Sequence, residues 1–260
     1  VIYKYFFIKK EFNFMFIAAN WKMNLNKKKI QEFITDLENF EFDDGVKACI
    51  FPSFIFIDYL YSLISDKSIS LGSQNCHFEK NGAFTGDISP YLLKECGCEY
   101  VILGHSERRA QYNEDNNFIK KCAHSAIDAG LKPIICVGET IEIRNSGNAI
   151  NFIKSQLDEC LPENCKDIYI AYEPMWSIGT GIIPNINQIE EIHSIIKIQA
   201  IKKNIDTTKV LYGGSVKPDN AEKIMSIDNV DGTLIGGASL NVKDFLAIYC
   251  SAVKQIKVIS

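Results

Sequence analysis

Glu173 stands where the apolar run Asp167-Ile-Tyr-Ile-Ala-Tyr172 ends and the loop Pro174-Met-Trp-Ser-Ile-Gly-Thr-Gly181 begins. A carboxylate at a strand end, followed by a loop that is stiff, apolar and then flexible, is what water-excluding lid chemistry requires. The loop has the composition of a lid over Pro174, Met175, Trp176, Ser177, Ile178, Gly179 and Thr180. Pro174 stiffens its start, and Gly179 and Gly181 free its end. Met175, Trp176 and Ile178 are large apolar groups that have no reason to stay in water, so they are expected to pack when the loop shuts. Read alone, the same segment is a turn with one exposed Glu and a core Trp, because most strand-to-helix loops only connect.

Ile102-Leu-Gly-His-Ser-Glu-Arg-Arg109 sets His105 just past another apolar run. Ser106 is expected to N-cap a short helix that carries Glu107. The free N–H groups of such a helix start lower the pKa of the imidazole and favour a neutral ring that donates a hydrogen bond. In Ala18-Ala-Asn-Trp-Lys-Met-Asn24, Asn20 and Lys22 are two apart and share one side of a strand end, where the Lys supplies a fixed cation. A surface lysine beside a helix cap fits those residues as well. Tyr212-Gly-Gly-Ser-Val216 and Leu234-Ile-Gly-Gly-Ala-Ser-Leu240 offer bare backbone N–H groups of the kind that cradle phosphate. One such pair is often only a tight turn; two, after the last two strands, point to an anionic group.

The elements that carry these residues alternate. Strands are expected at Phe16–Trp21, Lys47–Phe51, Ser70–Ser73, Tyr100–Leu103, Pro133–Val137, Ile168–Tyr172, Val210–Tyr212 and Gly232–Ile235. Helical patterns fill Lys28–Phe42, Asn117–Ala129, Ala149–Leu161, Ile186–Lys202, Lys217–Met225 and Val242–Ile256. In Asn187–Lys202, Ile189, Ile192, His193, Ile196 and Ala200 recur at helical spacing, which makes His193 a core residue. Eight strands alternating with helices, in a chain of 260 residues without Pro/Ser-rich linkers, predict a closed (β/α)₈ barrel. Chemistry in such a barrel sits at the carboxyl ends of the strands, where Asn20, Lys22, His105, Glu173 and both glycine pairs fall.

Composition narrows the partners. A formal net charge of -4 and no basic run longer than Lys27-Lys28-Lys29 argue against nucleic acid or a membrane surface. The 9 cysteines show no pairing rhythm and read as reduced residues of a cytoplasmic protein, with no metal-ligand spacing among them. Val1 to Phe14 is too short to span a bilayer and lacks the pattern of a secretory peptide. It is read as an extension, disordered or non-native, ahead of a single domain over residues 15–260, with Met15 as the natural start.

Asn20-Trp-Lys-Met-Asn24, Leu103-Gly-His-Ser-Glu-Arg-Arg109, Ala171-Tyr-Glu-Pro-Met-Trp176, Ile178-Gly-Thr-Gly181, Tyr212-Gly-Gly-Ser-Val216 and Gly236-Gly-Ala-Ser-Leu240 resemble the triosephosphate isomerase family. Gly82-Ala-Phe-Thr-Gly86 and Cys136-Val-Gly-Glu-Thr140 fit it too, and the match runs in order from Met15 to the C-terminus. The resemblance implies interconversion of dihydroxyacetone phosphate and D-glyceraldehyde 3-phosphate, a step of glycolysis and gluconeogenesis, without cofactor or metal. It implies Glu173 as base, neutral His105 as electrophile, Lys22 as the offsetting cation and Asn20 as its support. Gly179, Ser215, Gly236 and Gly237 correspond to phosphate-binding N–H groups, and Glu107 to an acid beside the Lys and His. It also implies a homodimer in which the loop Asn75–Gly86, with Thr85 at its tip, reaches the partner's active site. Ser177 stands where the family commonly has Ala, Ile182–Asn187 departs from the usual run, and Lys197 lies near the place of a common Arg. Two other readings remain at this stage: an aldolase forming a Schiff base through Lys22, and a barrel kept as a binding protein.

Overall fold

The computed structural model describes residues 14–64, 68–205 and 207–259, the side chains of 258 and 259 excepted. The expectation for the N-terminal extension therefore falls outside the described residues, save Phe14. That residue packs under the barrel, where its carbonyl accepts from Lys209 Nζ at 3.1 Å.

Eight parallel strands close on themselves in sequence order. They are β1 (Met15–Asn20), β2 (Val46–Phe51), β3 (Ile69–Ser73), β4 (Tyr100–Leu103), β5 (Lys132–Val137), β6 (Ile168–Tyr172), β7 (Thr208–Tyr212) and β8 (Gly232–Ile235). Closure is made by β1, which pairs with β2 from Met15↔Val46 to Asn20↔Phe51 and with β8 from Phe16↔Gly232 to Ala19↔Ile235. Helices between the strands cover the outside, the longest being Ile186–Lys202 and Val242–Ile259.

Alternation along each strand divides the core in two. Phe16, Ala18, Cys49, Phe51, Tyr100, Ile102, Ile134, Cys136, Tyr169, Ala171, Leu211 and Leu234 fill the barrel interior. Their neighbours in sequence, such as Ile17, Val101, Ile135, Ile170 and Val210, pack outward against the helices. Phe16, Tyr100 and Tyr169 close the floor, with ring centroids 4.8 to 5.3 Å apart. Interior side chains come in steps of two, so the row Phe16, Ala18 runs on to Asn20 at the end of β1 and then to Lys22. Past β6 the next step is Glu173, past β7 Gly213 and past β8 Gly236. The pleat alone thus turns these residues toward the open top.

Several expected boundaries shift, three of them with a clear cause. The first helix runs Lys27–Asp36 and not to Phe42. Phe40 and Phe42 mimic its apolar periodicity but pack on Tyr249 of the last helix, at 5.5 and 5.2 Å between ring centroids. Trp21 lies beyond the end of β1, buried against Phe33, with its Nε1 donating to Ser239 O at 3.0 Å. The Lys217–Met225 helix begins only at Ala221, because Pro218 and the Asn220 side chain, which accepts from Lys217 N, shape a turn first. The Ile186–Lys202 helix has the expected bounds, and its expected face is buried. His193 is there as a core residue: its Nδ1 meets Asn229 O at 3.0 Å, and burial pushes its pKa down to about 4.

Candidate active site

A cavity of about 500 Å³ opens at the carboxyl ends of the strands and is lined by Asn20, Lys22, His105, Glu173, residues 178–181 and residues 213–218. Leu234, Gly236, Gly237, Ala238 and Asp244 complete its wall. The residues expected at separate strand ends therefore meet at one place. Ser106 and Glu107 stand behind His105 outside the lining, as do residues 174–177 at the lid base, and Thr85 lies exposed on another loop.

His105 does not follow from strand parity, since two steps from Ile102 lead to Gly104. Gly104 takes φ +66, a left-handed turn that re-aims the next residue, and a Cβ there would lie 2.5 Å from Ile119 Cδ1. His105 is then itself the N-cap of the helix Ser106–Tyr112, and its Nδ1 accepts from Glu107 N at 3.2 Å. This corrects the expectation that Ser106 caps: Ser106 is the first helical residue, and its free N–H donates to Glu173 Oε2 at 2.8 Å. The acceptor role of Nδ1 leaves Nε2 as the protonated nitrogen of the neutral ring.

Glu173 is 2% exposed and its Oε1 lies 3.0 Å from His105 Nε2, close but not aligned as a hydrogen bond. Burial by itself raises the Glu173 pKa, yet the charge of His105 and the Ser106 N–H outweigh it and the net direction is down. For His105 burial lowers the pKa, the charge of Glu173 outweighs it, Glu107 adds to the rise, and the net direction is up. The expected lowering of the His105 pKa is thus reversed in this state. The reason is local: a buried carboxylate 3.0 Å away acts more strongly than the helix start.

Lys22 adopts φ +51, uncommon for a residue with a Cβ, and Asn20 Oδ1 holds the turn by accepting Lys22 N at 3.0 Å. Its carbonyl accepts from Gln74 Nε2 at 2.7 Å and from Ser53 Oγ at 3.1 Å. Its ammonium meets Glu107 Oε1 at 2.5 Å, so Glu107 is an ion-pair partner that fixes the cation. A Cβ on Gly236 would lie 3.4 Å from Lys22 Cε, which brings the cation beside the β8 loop. Gly236 caps the short turn Gly237–Leu240, whose first N–H groups lack helical partners.

The loop over residues 174–181 is tied down at its base while its tip is exposed. Glu139, fully buried, accepts from Arg144 Nε at 2.8 Å, Tyr172 Oη at 3.0 Å and Trp176 Nε1 at 3.3 Å. Met175, Trp176 and Ile178 are half-buried, and Gly179 and Thr180 are exposed. Sequence reasoning missed Glu139 and Arg144 as anchors of this loop, although Gly138 and Glu139 lie in a quoted motif. It also missed Lys217 and Asp244 in the cavity wall. Their chain neighbours gave no signal, since both belong to ordinary polar stretches.

A buried carboxylate against an imidazole, with a fixed ammonium across one small cavity, makes this a (β/α)₈-barrel enzyme equipped for proton transfer. The sequence model of the family described as triosephosphate isomerase matches residues 15–252. The triosephosphate isomerase of Hydrogenovibrio crunogenus is 43% identical over 251 residues, covering 93% of this chain and 99% of its own. That of Thermodesulfovibrio yellowstonii is 41% identical, covering 90% and 97%. The crystal structure of triosephosphate isomerase from Bartonella henselae superposes with a TM-score of 0.82 at 37% identity, over 92% of this chain and 99% of its own. The chain belongs to the triosephosphate isomerase family. Its reaction is an intramolecular aldose–ketose isomerisation.

Proposed function

We propose that Glu173 takes a proton from C1 of dihydroxyacetone phosphate and returns it to C2 of the resulting enediolate, which gives D-glyceraldehyde 3-phosphate. His105 Nε2–H polarises the carbonyl and passes protons between the two oxygens. The pairing of a glutamate base with a neutral imidazole is established for the family and is carried to these two residues by position. Lys22, braced by Asn20 and Glu107, offsets the charge of phosphate and enediolate. The N–H groups of Gly179, Ser215, Gly236 and Gly237 hold the phosphate.

The observation that carries this reading is the buried Glu173–His105 contact at 3.0 Å beside the cavity. In the described state Oε2 accepts from Ser106 N–H and Oε1 lies against His105, so the side chain must leave both to reach a carbon. That movement changes both groups in the useful direction. Glu173 loses the partners that lower its pKa while burial still raises it, and becomes a stronger base. His105 loses the charge that raises its pKa while burial still lowers it, and becomes the neutral donor. Closure of the 174–180 lid over the phosphate excludes water from the pair.

A Schiff base through Lys22 is less well supported, because its nitrogen is held in an ion pair with Glu107. We also propose a homodimer through the 75–86 loop. The loop root is bound to the site, since Gln74 donates to Lys22 O and Asn75 Nδ2 to Glu114 Oε1, while residues 79–87 are exposed. We also propose a cytoplasmic location, which fits nine cysteines without pairing rhythm. No helix among the described residues is long and apolar enough to cross a membrane. The reaction is tested by following glyceraldehyde 3-phosphate in an NADH-coupled assay, and the alternative by borohydride reduction with dihydroxyacetone phosphate. Isomerisation without a trapped Lys22 adduct is expected; a trapped adduct would reject the assignment.

A further inference from the structure

Ser177 is fully buried at the lid base, yet a hydroxyl there has no part in the chemistry above. Its Oγ donates to Ile182 O at 2.6 Å, lies 3.3 Å from Tyr212 Oη, and accepts from Ser215 N at 3.3 Å. One donated and two accepted bonds use the whole capacity of a hydroxyl, with Tyr212 then the donor of the second. The trio is made possible by Gly214, where a Cβ would lie 2.2 Å from Tyr212 Oη and 2.9 Å from Ser177 Oγ. The bond to Ile182 O joins the two flanks of the lid across residues 178–181, which line the cavity. The bond from Ser215 engages one of the backbone N–H groups assigned to the phosphate. Alanine at this position would make none of these contacts.

We propose that Ser177 is a positioning residue that holds the lid in its resting place and occupies the Ser215 N–H until phosphate displaces it. A phosphate oxygen and Ser177 Oγ then compete for the same donor, and every binding event must first release this anchor. The chain therefore carries a brake on ligand capture. The inference rests on the assignment of Ser215 N–H to the phosphate.

The test compares the unaltered protein with Ser177→Ala, titrating glycerol 3-phosphate and following the Ser215 amide by NMR. In the ligand-free variant the Ser215 amide should exchange faster, since its acceptor is gone. The Kd for glycerol 3-phosphate should fall about two- to tenfold, the factor carried by one neutral hydrogen bond. KM should fall with it while kcat does not rise, because the closed complex is unchanged. A merely structural hydroxyl would lower the melting temperature and leave Kd where it was. An unchanged or weaker Kd, or an unchanged Ser215 exchange rate, overturns the proposal. If the Ser215 amide of the unaltered protein fails to respond to glycerol 3-phosphate, the phosphate assignment itself is wrong and the brake falls with it. If that amide responds but Ser177→Ala changes nothing, only the brake is lost.

Discussion

Gly138→Ala is expected to disable the enzyme through one methyl group that touches no substrate. Gly138 follows β5, and its φ is not in the left-handed region, so its backbone conformation is open to alanine. The obstacle is the neighbouring strand end: an added Cβ would lie 1.7 Å from Glu173 O, 2.6 Å from its carbonyl carbon and 3.2 Å from its Cα. Real Cβ contacts stay beyond 3.0 Å, so the Glu173 backbone must retreat by at least about 1.3 Å. The clash is with main chain, which cannot swing aside as a side chain can. The shift also opposes the bonds from Glu173 N to Val137 O, from Met175 N to Glu139 O and from Gly138 N to Gln156 Oε1. Misplacing a catalytic group by about 1 Å costs on the order of 100-fold, so kcat/KM should fall by that factor or more. Overpacking should cost about 1–3 kcal/mol of stability. Gly147→Ala is the control: φ +76 makes it strained, but nothing lies within 4 Å, so it should lose stability with kcat/KM intact. Kinetics and thermal melts of the two variants settle the matter. Gly138→Ala retaining kcat/KM within about threefold would refute the reasoning that the Gly138 contact positions the base.

Glu173→Gln should fold and lose about 10²–10⁴ of turnover or more, since an amide cannot take the proton; residual activity above about a tenth would remove Glu173 from the base role. The same variant should lower the His105 pKa in an NMR titration, because the carboxylate charge that raises it is gone while burial remains. The raised His105 pKa contributes stability below about pH 6.5 that is lost as pH rises through the folded value. The lowered Glu173 pKa contributes stability above about pH 4.3 that is lost as pH falls through its folded value. The stability advantage over Glu173→Gln should therefore peak between those two pH values, and a flat difference across pH would contradict the ion pair. Lys22→Met should reduce turnover and weaken binding of phosphate-bearing inhibitors; unchanged binding would remove the cation from the site. Deleting residues 178–181 should leave the barrel folded but let the enediolate expel phosphate, with methylglyoxal appearing in the product analysis. Absence of any methylglyoxal would mean that the lid does not shield the intermediate.

What the sequence determined by itself is whatever depends on pleat and punctuation. All eight strands lie within two residues of their expected starts, because short apolar runs between helical stretches have only one way to pair in parallel. The period of two also carried Asn20, Lys22, Glu173, Gly213 and Gly236 to the cavity, since each continues the interior row of its strand. The helix ends were less legible, as Phe40 and Phe42 show: apolar spacing says that a residue is buried, not which element buries it. Short helices such as Ile57–Ile64, Pro90–Glu95 and Ile141–Asn145 offered too few turns for a period to be read.

The tertiary structure alone decided the protonation and the reach of the site. Neither the Ser106 N–H bound to Glu173 nor the reversal of the His105 pKa is written in the Gly-His-Ser-Glu motif. Both need residue 173 to stand beside residue 106, across 67 positions of chain, and beside its neighbour His105. The same holds for Gly138 under the Glu173 carbonyl and for Ser177 on the Ser215 amide, 38 positions apart. Local sequence fixes which way a side chain leaves its strand, whereas a pKa or a steric limit depends on the few ångströms to another strand. Only closure of the barrel sets that separation.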